Sequence, residues 1–230
     1  MTYNDVCEGV FLSRPNRFIA RVEINGKAET VHVKNTGRCR ELLVSGCRVV
    51  LEKSGNPARK TAYDLIAVYK EQENAPPLLI NMDSQAPNKA ALEWVRGGLF
   101  SKGAAVCAEK TYGSSRFDLY VEDGNEKAFV EVKGVTLEDG GVALFPDAPT
   151  ERGVKHIREL ISAKNAGYKA YILFVVQFRG ACVFRPNTLM HPQFAHALRD
   201  AECAGVNILA VDCLVTPNSM TINESVPVQI

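Results

Sequence analysis

Charge bias is the first thing this chain lacks. Its 27 Lys and Arg against 26 Asp and Glu leave a formal net charge of +1. No overall basic excess marks it as a nucleic-acid binder, so any such surface has to come from local clustering, with the acids placed elsewhere. Long apolar runs are also missing. The longest, Ala170–Val176, is strand length and far short of the roughly 18–20 residues that cross a bilayer. The opening MTYNDVCEGVFLSR has no charged stretch followed by an apolar one, so no secretory leader is expected. The seven cysteines are odd in number and never spaced CxxC, and the four histidines lack ligand spacing. Neither a disulfide framework nor a zinc site is expected, and the thiols read as reduced side chains of a cytoplasmic protein. The motifs GxxxxGK[ST], GxGxxG and GxSxG are absent, which leaves nucleotide hydrolysis, dinucleotide redox chemistry and α/β-hydrolase chemistry without a signature.

What is present suits a globular protein of one large or two small domains: 230 residues, 46% hydrophobic and 23% charged. The pattern changes near residue 82. Before it, short strand-like segments alternate with turn signals, and Asn25-Gly26 between two β-rich runs is a strong hairpin signal. Five or six strands in this stretch suggest a small closed barrel over residues 1–83, OB-like because a short helix is expected after the third strand, at Arg38–Val44. Residues 84–230 read as a mixed sheet flanked by helices, in the order α-β-β-β-α-β-α-β. Ala86–Phe100 reads as a helix broken at Gly97-Gly98. Glu151–Ala166 has a one-sided apolar stripe, with Thr150 as N-cap and Gly167 just beyond the end. Tyr168–Phe178 and Val206–Val215 read as strands buried on both faces, and Pro192–Ala204 as a helix.

The segment that carries chemistry is RFDLYVEDGNEKAFVEVK, residues 116–133. Strand alternation puts Arg116, Asp118, Tyr120 and Glu122 on one face and Phe117, Leu119 and Val121 on the other; in the next strand Phe129, Glu131 and Lys133 share a face. A two-residue loop at Gly124-Asn125 pairs Leu119 with Val130 and Val121 with Ala128. It sets Asp118 opposite Glu131 and Arg116 opposite Lys133, with Cβ atoms about 4.5–5.5 Å apart. Two opposed carboxylates repel, and a divalent cation such as Mg²⁺ or Mn²⁺ is the obvious compensation, since it takes one or two carboxylates together with waters and phosphate oxygens. Lys133 is then positioned to orient an attacking water or offset charge in a phosphoryl transition state. A surface hairpin in which Lys and Arg neutralise two acids would give the same string. Glu109, on the preceding strand, is a candidate third acid, and Asp147 a weaker one.

Other residues read as contacts to a phosphate backbone. On the helix, Arg152, Lys155 and His156, with Glu159, are spaced along one face opposite the apolar stripe. In the first half, Lys34–Arg40 combines polar donors with the guanidiniums of Arg38 and Arg40, a set suited to phosphate oxygens. Arg116 adds a further cation beside the acids. Each of these has an ordinary alternative, a solvated helix face or a capped turn.

The Asp…Glu-x-Lys hairpin followed by a helix and a buried strand resembles the PD-(D/E)xK nuclease superfamily, whose catalytic pattern falls on Asp118, Glu131 and Lys133; its leading Pro is replaced by Phe117. A more specific resemblance covers nearly the whole chain. EVKGVTL, FPDAPTERGVKHIREL, AECAGVNILA, NTGRCREL and the closing SVPVQI are similar to the sugar fermentation stimulation protein A (SfsA) family. That resemblance implies an N-terminal OB-like domain, a C-terminal nuclease-like domain built like a restriction endonuclease, and DNA binding without sequence preference. A role in sugar metabolism attaches to the family name, and nothing in these residues speaks to it.

Three readings stay open. One is a Mg²⁺- or Mn²⁺-dependent DNA phosphodiesterase in which Asp118 and Glu131 hold the metal and Lys133 assists. Another is a DNA-binding regulatory module that keeps the site without turnover. The third is a small-molecule or oligosaccharide binder using the barrel. The expected partner is DNA, with no membrane, and self-association into a homodimer is left open.

Overall fold

The computed structural model describes every residue except Thr36, so the expectation that Thr36 contributes to a phosphate-binding segment lies outside the described residues. Six strands open the chain: β1 (Val6–Asn16), β2 (Ile19–Ile24), β3 (Lys27–Val33), β4 (Arg48–Lys53), β5 (Tyr63–Gln72) and β6 (Ala75–Asn81). They hydrogen-bond in the order β3-β2-β1-β4-β5-β6, and a parallel pairing of β3 with β5 closes the first five into a barrel. This is the OB arrangement. Strand alternation builds its interior: along β2, Ala20, Val22 and Ile24 are buried while Arg21 and Glu23 are exposed. Gly9 is required where β1 and β2 approach closely, since a Cβ there would lie 2.6 Å from Val22 Cγ1 and 2.8 Å from the Glu23 carbonyl oxygen.

The helix expected after β3 is replaced by turns. Cys39 has φ of 44°, and only a single helical turn follows, with the Leu43 N–H donating to the Cys39 carbonyl at 3.0 Å. Leu42 and Leu43 are buried in the core shared with the barrel strands. The segment stoppers the barrel with two leucines, which a helix of several turns is not needed to do.

A helix, α1 (Ala86–Trp94), ends in a π-helical turn at Val95–Leu99, where Gly98 takes φ of 154°. There follow β7 (Ala105–Tyr112), β8 (Ser115–Asp123), β9 (Glu126–Val135), β10 (Leu137–Asp139) and β11 (Val142–Phe145). The chain continues with α2 (Glu151–Asn165), β12 (Lys169–Val176), β13 (Val183–Pro186), α3 (Pro192–Cys203), β14 (Asn207–Thr216) and β15 (Ser219–Ser225). The large sheet runs β15-β14-β12-β9-β8-β7. It is mixed: β9, β12 and β14 are mutually parallel, and the outer pairings are antiparallel. The fold is α+β, a barrel followed by this helix-flanked sheet. Thr150 caps α2 by accepting from the Gly153 N–H at 3.1 Å. A small sheet, β10-β11-β13, and the edge strand β15 were not anticipated from the sequence; the three strands of that sheet are very short, and β15 is half-exposed.

The barrel and the large sheet are joined by buried polar contacts. Gln177 Nε2 donates to the Asn81 carbonyl oxygen at 3.0 Å and to the Asp83 carbonyl oxygen at 3.2 Å. Tyr3 Oη accepts from Asn81 Nδ2 and donates to Asp83. The first residues lie on the second sheet rather than in the barrel, with Thr2 bridging to Ser219. Among the described residues no helix is long and apolar enough to cross a membrane.

Candidate metal-dependent active site

The β8–β9 hairpin has the register that its loop dictates. Asp123 pairs with Glu126 around Gly124-Asn125, and Leu119 pairs with Val130. The ladder stops there, one pair short of Asp118 and Glu131, although β8 stays paired to β7 through Phe117. Beyond Leu119 the side chains leave strict alternation. Leu119 and Val121 pack with α1, but Phe117 packs with Tyr112 and Phe129, its ring centroid 5.2 Å from that of Phe129 and 6.3 Å from that of His156. The expectation that Phe117 shares a face with Leu119 and Val121 is thus corrected. The end of the strand turns as it separates from β9. Asp118 fills the gap: its carboxylate accepts the Val132 N–H at 2.7 Å and Asn88 Nδ2 at 2.7 Å, so it holds α1 to the parting strands.

Glu131 lies on a central strand and is 2% exposed. Its Oε1 accepts from Lys133 Nζ and is hydrogen-bonded to His156 Nδ1 from α2. Its Oε2 is buried without a partner. Burial acts to raise the carboxyl pKa, but the His156 hydrogen bond and the Lys133 charge and hydrogen bond outweigh it, and the group is held below the usual carboxylate range. Asp118 goes the other way: burial, and then the Glu131 charge, push its carboxyl up. Two neighbouring acids with opposite shifts, one carrying an orphaned oxygen, leave carboxylate oxygen capacity that the surrounding protein does not satisfy. Hard oxygen donors of this kind fit Mg²⁺ or Mn²⁺. Among the described residues no group of three or more His, Cys, Asp or Glu converges for a metal, so an ion held here would keep most of its shell as water and substrate oxygens.

Of the residues marked in the sequence, Asp118, Glu131 and Lys133 come together. Glu109 does not join them: it is exposed, with φ of 57°, and pairs with Arg116 at 3.4 Å. That pair lies along the β7–β8 edge, so Arg116 does not face Lys133. His156 is corrected most. It is 5% exposed, turned inward onto Glu131, and accepts from Arg152 Nε at 3.3 Å. The buried arc of α2 is wider than its apolar stripe because β8 and β9 cover one side of it and α3 another, and Glu131 supplies a polar partner for an imidazole inside that arc. Arg152 and Lys155 are exposed on α2, and Arg38 and Arg40 line a groove at the barrel end. Asp147 lies across a cavity of about 300 Å³ between the domains, which Asn35, Ser84, Gly134 and Thr136 also line. Gly134 is required there: a Cβ would stand 2.7 Å from Pro87 Cγ and collide with the Gln177 amide. Sequence reasoning missed Asn88 and the role of His156. An Asn three residues into a helix carries no signal of its own, and only the apposition of α2 to β9 reveals the imidazole's partner.

Comparison with known proteins covers the chain from end to end. A family model described as "Sugar fermentation stimulation protein RE domain" matches residues 85–219, and one described as "SfsA N-terminal OB domain" matches residues 12–75. A sugar fermentation stimulation protein homolog from Desulfitobacterium hafniense (strain Y51) is 54% identical over 230 residues, covering 100% of this chain and 99% of the relative. Another, from Ruminiclostridium cellulolyticum, is 52% identical over 231 residues and covers 100% of both chains. A solved structure of Pyrococcus furiosus SfsA in complex with Ca²⁺ superposes with a TM-score of 0.88 at 28% identity, covering 100% of this chain and 98% of that one.

Proposed function

The chain belongs to the sugar fermentation stimulation protein (SfsA) family, and we propose that it binds DNA without sequence preference and cuts it as a Mg²⁺- or Mn²⁺-dependent phosphodiesterase. The observation that carries this is the buried, unpartnered Oε2 of Glu131 beside Asp118, with the Lys133 ammonium at the same point. A divalent ion held by Asp118 and Glu131 would supply a water of lowered pKa and offset charge on the phosphoryl group. The residues' own work is separable from that. Asn88 and the Val132 N–H fix the Asp118 carboxylate, His156 fixes Glu131, and Lys133 presents a donor with no lone pair for a metal. A related family structure described with Ca²⁺ supports the choice of a hard, oxygen-seeking ion. We place the reaction in the cytoplasm, where seven unpaired cysteines persist as thiols.

One observation favours the alternative, a DNA-binding regulator of sugar metabolism that does not turn over. Lys133 already pairs with Glu131 and His156 hydrogen-bonds the same carboxylate, so the acid has partners without a metal. Incubating labelled single-stranded, duplex and branched DNA with the purified protein, with and without Mn²⁺, separates the two. The enzyme reading expects metal-dependent products that vanish for Asp118→Asn. Absence of products from every DNA form in both Mg²⁺ and Mn²⁺ leaves the regulator.

A further inference from the structure

We infer that the β1–β2 turn of the barrel is a single-strand binding platform on which Phe18 stacks an unpaired base while Arg17, Arg38 and Arg40 hold the adjoining phosphates. This names the substrate class for the site proposed above, DNA with an unpaired segment, and so rests on the reading that the chain binds DNA.

The first observation is an exposed ring on a backbone tied down by hydrogen bonds. Phe18 is 55% exposed, at the tip of a two-residue turn that polar groups hold rigid. Asn16 Oδ1 accepts the N–H groups of Phe18 and Ile19 at 2.9 and 3.1 Å, and the Phe18 carbonyl accepts the Val33 N–H at 2.8 Å. The Arg14 guanidinium donates to the carbonyls of Arg17, Asn35 and Arg38 at 2.7, 2.8 and 2.7 Å, which fastens the turn to the segment after β3. An apolar ring presented to water on a fixed backbone is organised for a flat apolar partner, because little further ordering is needed on binding.

The second observation is charge. Arg17, Arg38 and Arg40 are exposed and line one groove of about 440 Å³ beside the turn. Among the described residues the arginines in ion pairs are Arg48, Arg59 and Arg116, so the three in the groove are uncommitted.

The third observation is continuity. Gly37 lines both the arginine groove and the interdomain cavity. Ser84 lines both that cavity and a smaller one, of about 180 Å³, walled by Phe18, His32 and Lys34. The interdomain cavity is bounded by Gly134, the residue after Lys133. A strand lying along the arginines therefore has a continuous path from Phe18 into the interdomain cavity. The location is also where an OB barrel, with its loop between strands 1 and 2, takes oligonucleotides. An intact duplex keeps its bases stacked on one another and gives Phe18 nothing to stack on, whereas an unpaired strand gives it a π-face of any sequence.

The test is fluorescence anisotropy in EDTA, where no cleavage intervenes, with a labelled 20-mer of thymidine and a 20-bp duplex. Wild type, Phe18→Ala, Phe18→Trp and Arg38→Ala/Arg40→Ala are compared. Stacking contributes about 1–3 kcal/mol per base, or about 5- to 150-fold. Wild type is expected to bind the single strand more tightly than the duplex. Phe18→Ala should lose about that factor on the single strand alone, and Phe18→Trp should restore it. The double Arg variant should weaken single-strand binding and flatten its dependence on log salt by about 1.4, from about 0.7 per lost contact. If Phe18→Ala binds the single strand as wild type does, or loses equally on duplex, the platform is refuted while DNA binding itself stands. If wild type binds neither DNA, the platform and the DNA-binding reading fall together. Phe18 is exposed, so misfolding does not confound the result.

Discussion

Replacing Asp118 by Asn should invert the stability order of two proteins according to whether metal is present. The substitution keeps shape and hydrogen bonding: the Asn carbonyl still accepts the Val132 N–H, and Asn88 can turn its amide to present an oxygen to the new amide. What disappears is a charge that burial and the neighbouring Glu131 both disfavour. A like-charged cross-strand pair costs up to about 1 kcal/mol, and for a chain of this length about 1 kcal/mol moves Tm by about 2–4 °C. In EDTA at neutral pH, Asp118→Asn should therefore melt that much higher than wild type. In Mn²⁺ at 100 times its Kd, wild type gains about 2.7 kcal/mol, about 5–11 °C, and the variant gains little. The pH dependence has a fixed sign. The folded-state pKa of Asp118 lies above its ordinary value of 3.8, so wild type loses stability as pH rises from there through the raised value. The metal-free advantage of the Asn variant should be full at neutral pH and vanish below pH 3.8. Scanning calorimetry with and without Mn²⁺ from pH 3.5 to 7.5, a range set to bracket that titration, reads all of this. A variant less stable than wild type in EDTA, or a wild type that Mn²⁺ does not stabilise, would remove Asp118 from a metal site.

Three further outcomes are expected. His156→Ala removes a charge-assisted partner of buried Glu131 and should lower stability by about 1.5–3 kcal/mol. Because Glu131 is held below its ordinary 4.5, its contribution is present above that pH and lost as pH falls through the lowered value; the variant's acid-unfolding midpoint should move to higher pH, as followed by circular dichroism. Arg152→Ala/Lys155→Ala should weaken duplex binding and reduce its slope against log salt by about 1.8 if both touch phosphate, and an unchanged slope takes α2 out of the interface. Leu42→Ala, at a side chain 2% exposed in the stopper of the barrel, should cost about 2–5 kcal/mol in a urea titration.

Much of this was legible from local chemistry. Gly124-Asn125 fixes the hairpin register, because a two-residue loop permits one pairing and the buried Leu119–Val130 pair agrees with it. Thr150 and Gly167 bracket α2 because a helix end needs an acceptor at one side and a positive φ at the other. What was not legible depends on contacts between remote segments. Phe117 breaks alternation because β8 parts from β9 while still paired with β7, and no periodicity reports that. His156 sits on a polar-looking stripe, yet packing of α2 turns it inward to Glu131. Phe18 looks like any core phenylalanine in sequence, and only the turn shows that it is exposed.

Whether Asp118, Glu131 and Lys133 form one phosphodiesterase site is decided by Lys133→Ala under single-turnover conditions, with nicked plasmid as the readout and calorimetric Mn²⁺ binding measured alongside. Lys133 donates to Glu131 but has no lone pair for a metal when charged. Wild type should cleave in Mn²⁺, the variant should be slower by about 10²–10³-fold, and Mn²⁺ binding should be retained. A wild type that nicks no plasmid in Mg²⁺ or Mn²⁺, or a variant that cuts as fast as wild type, would contradict such a site.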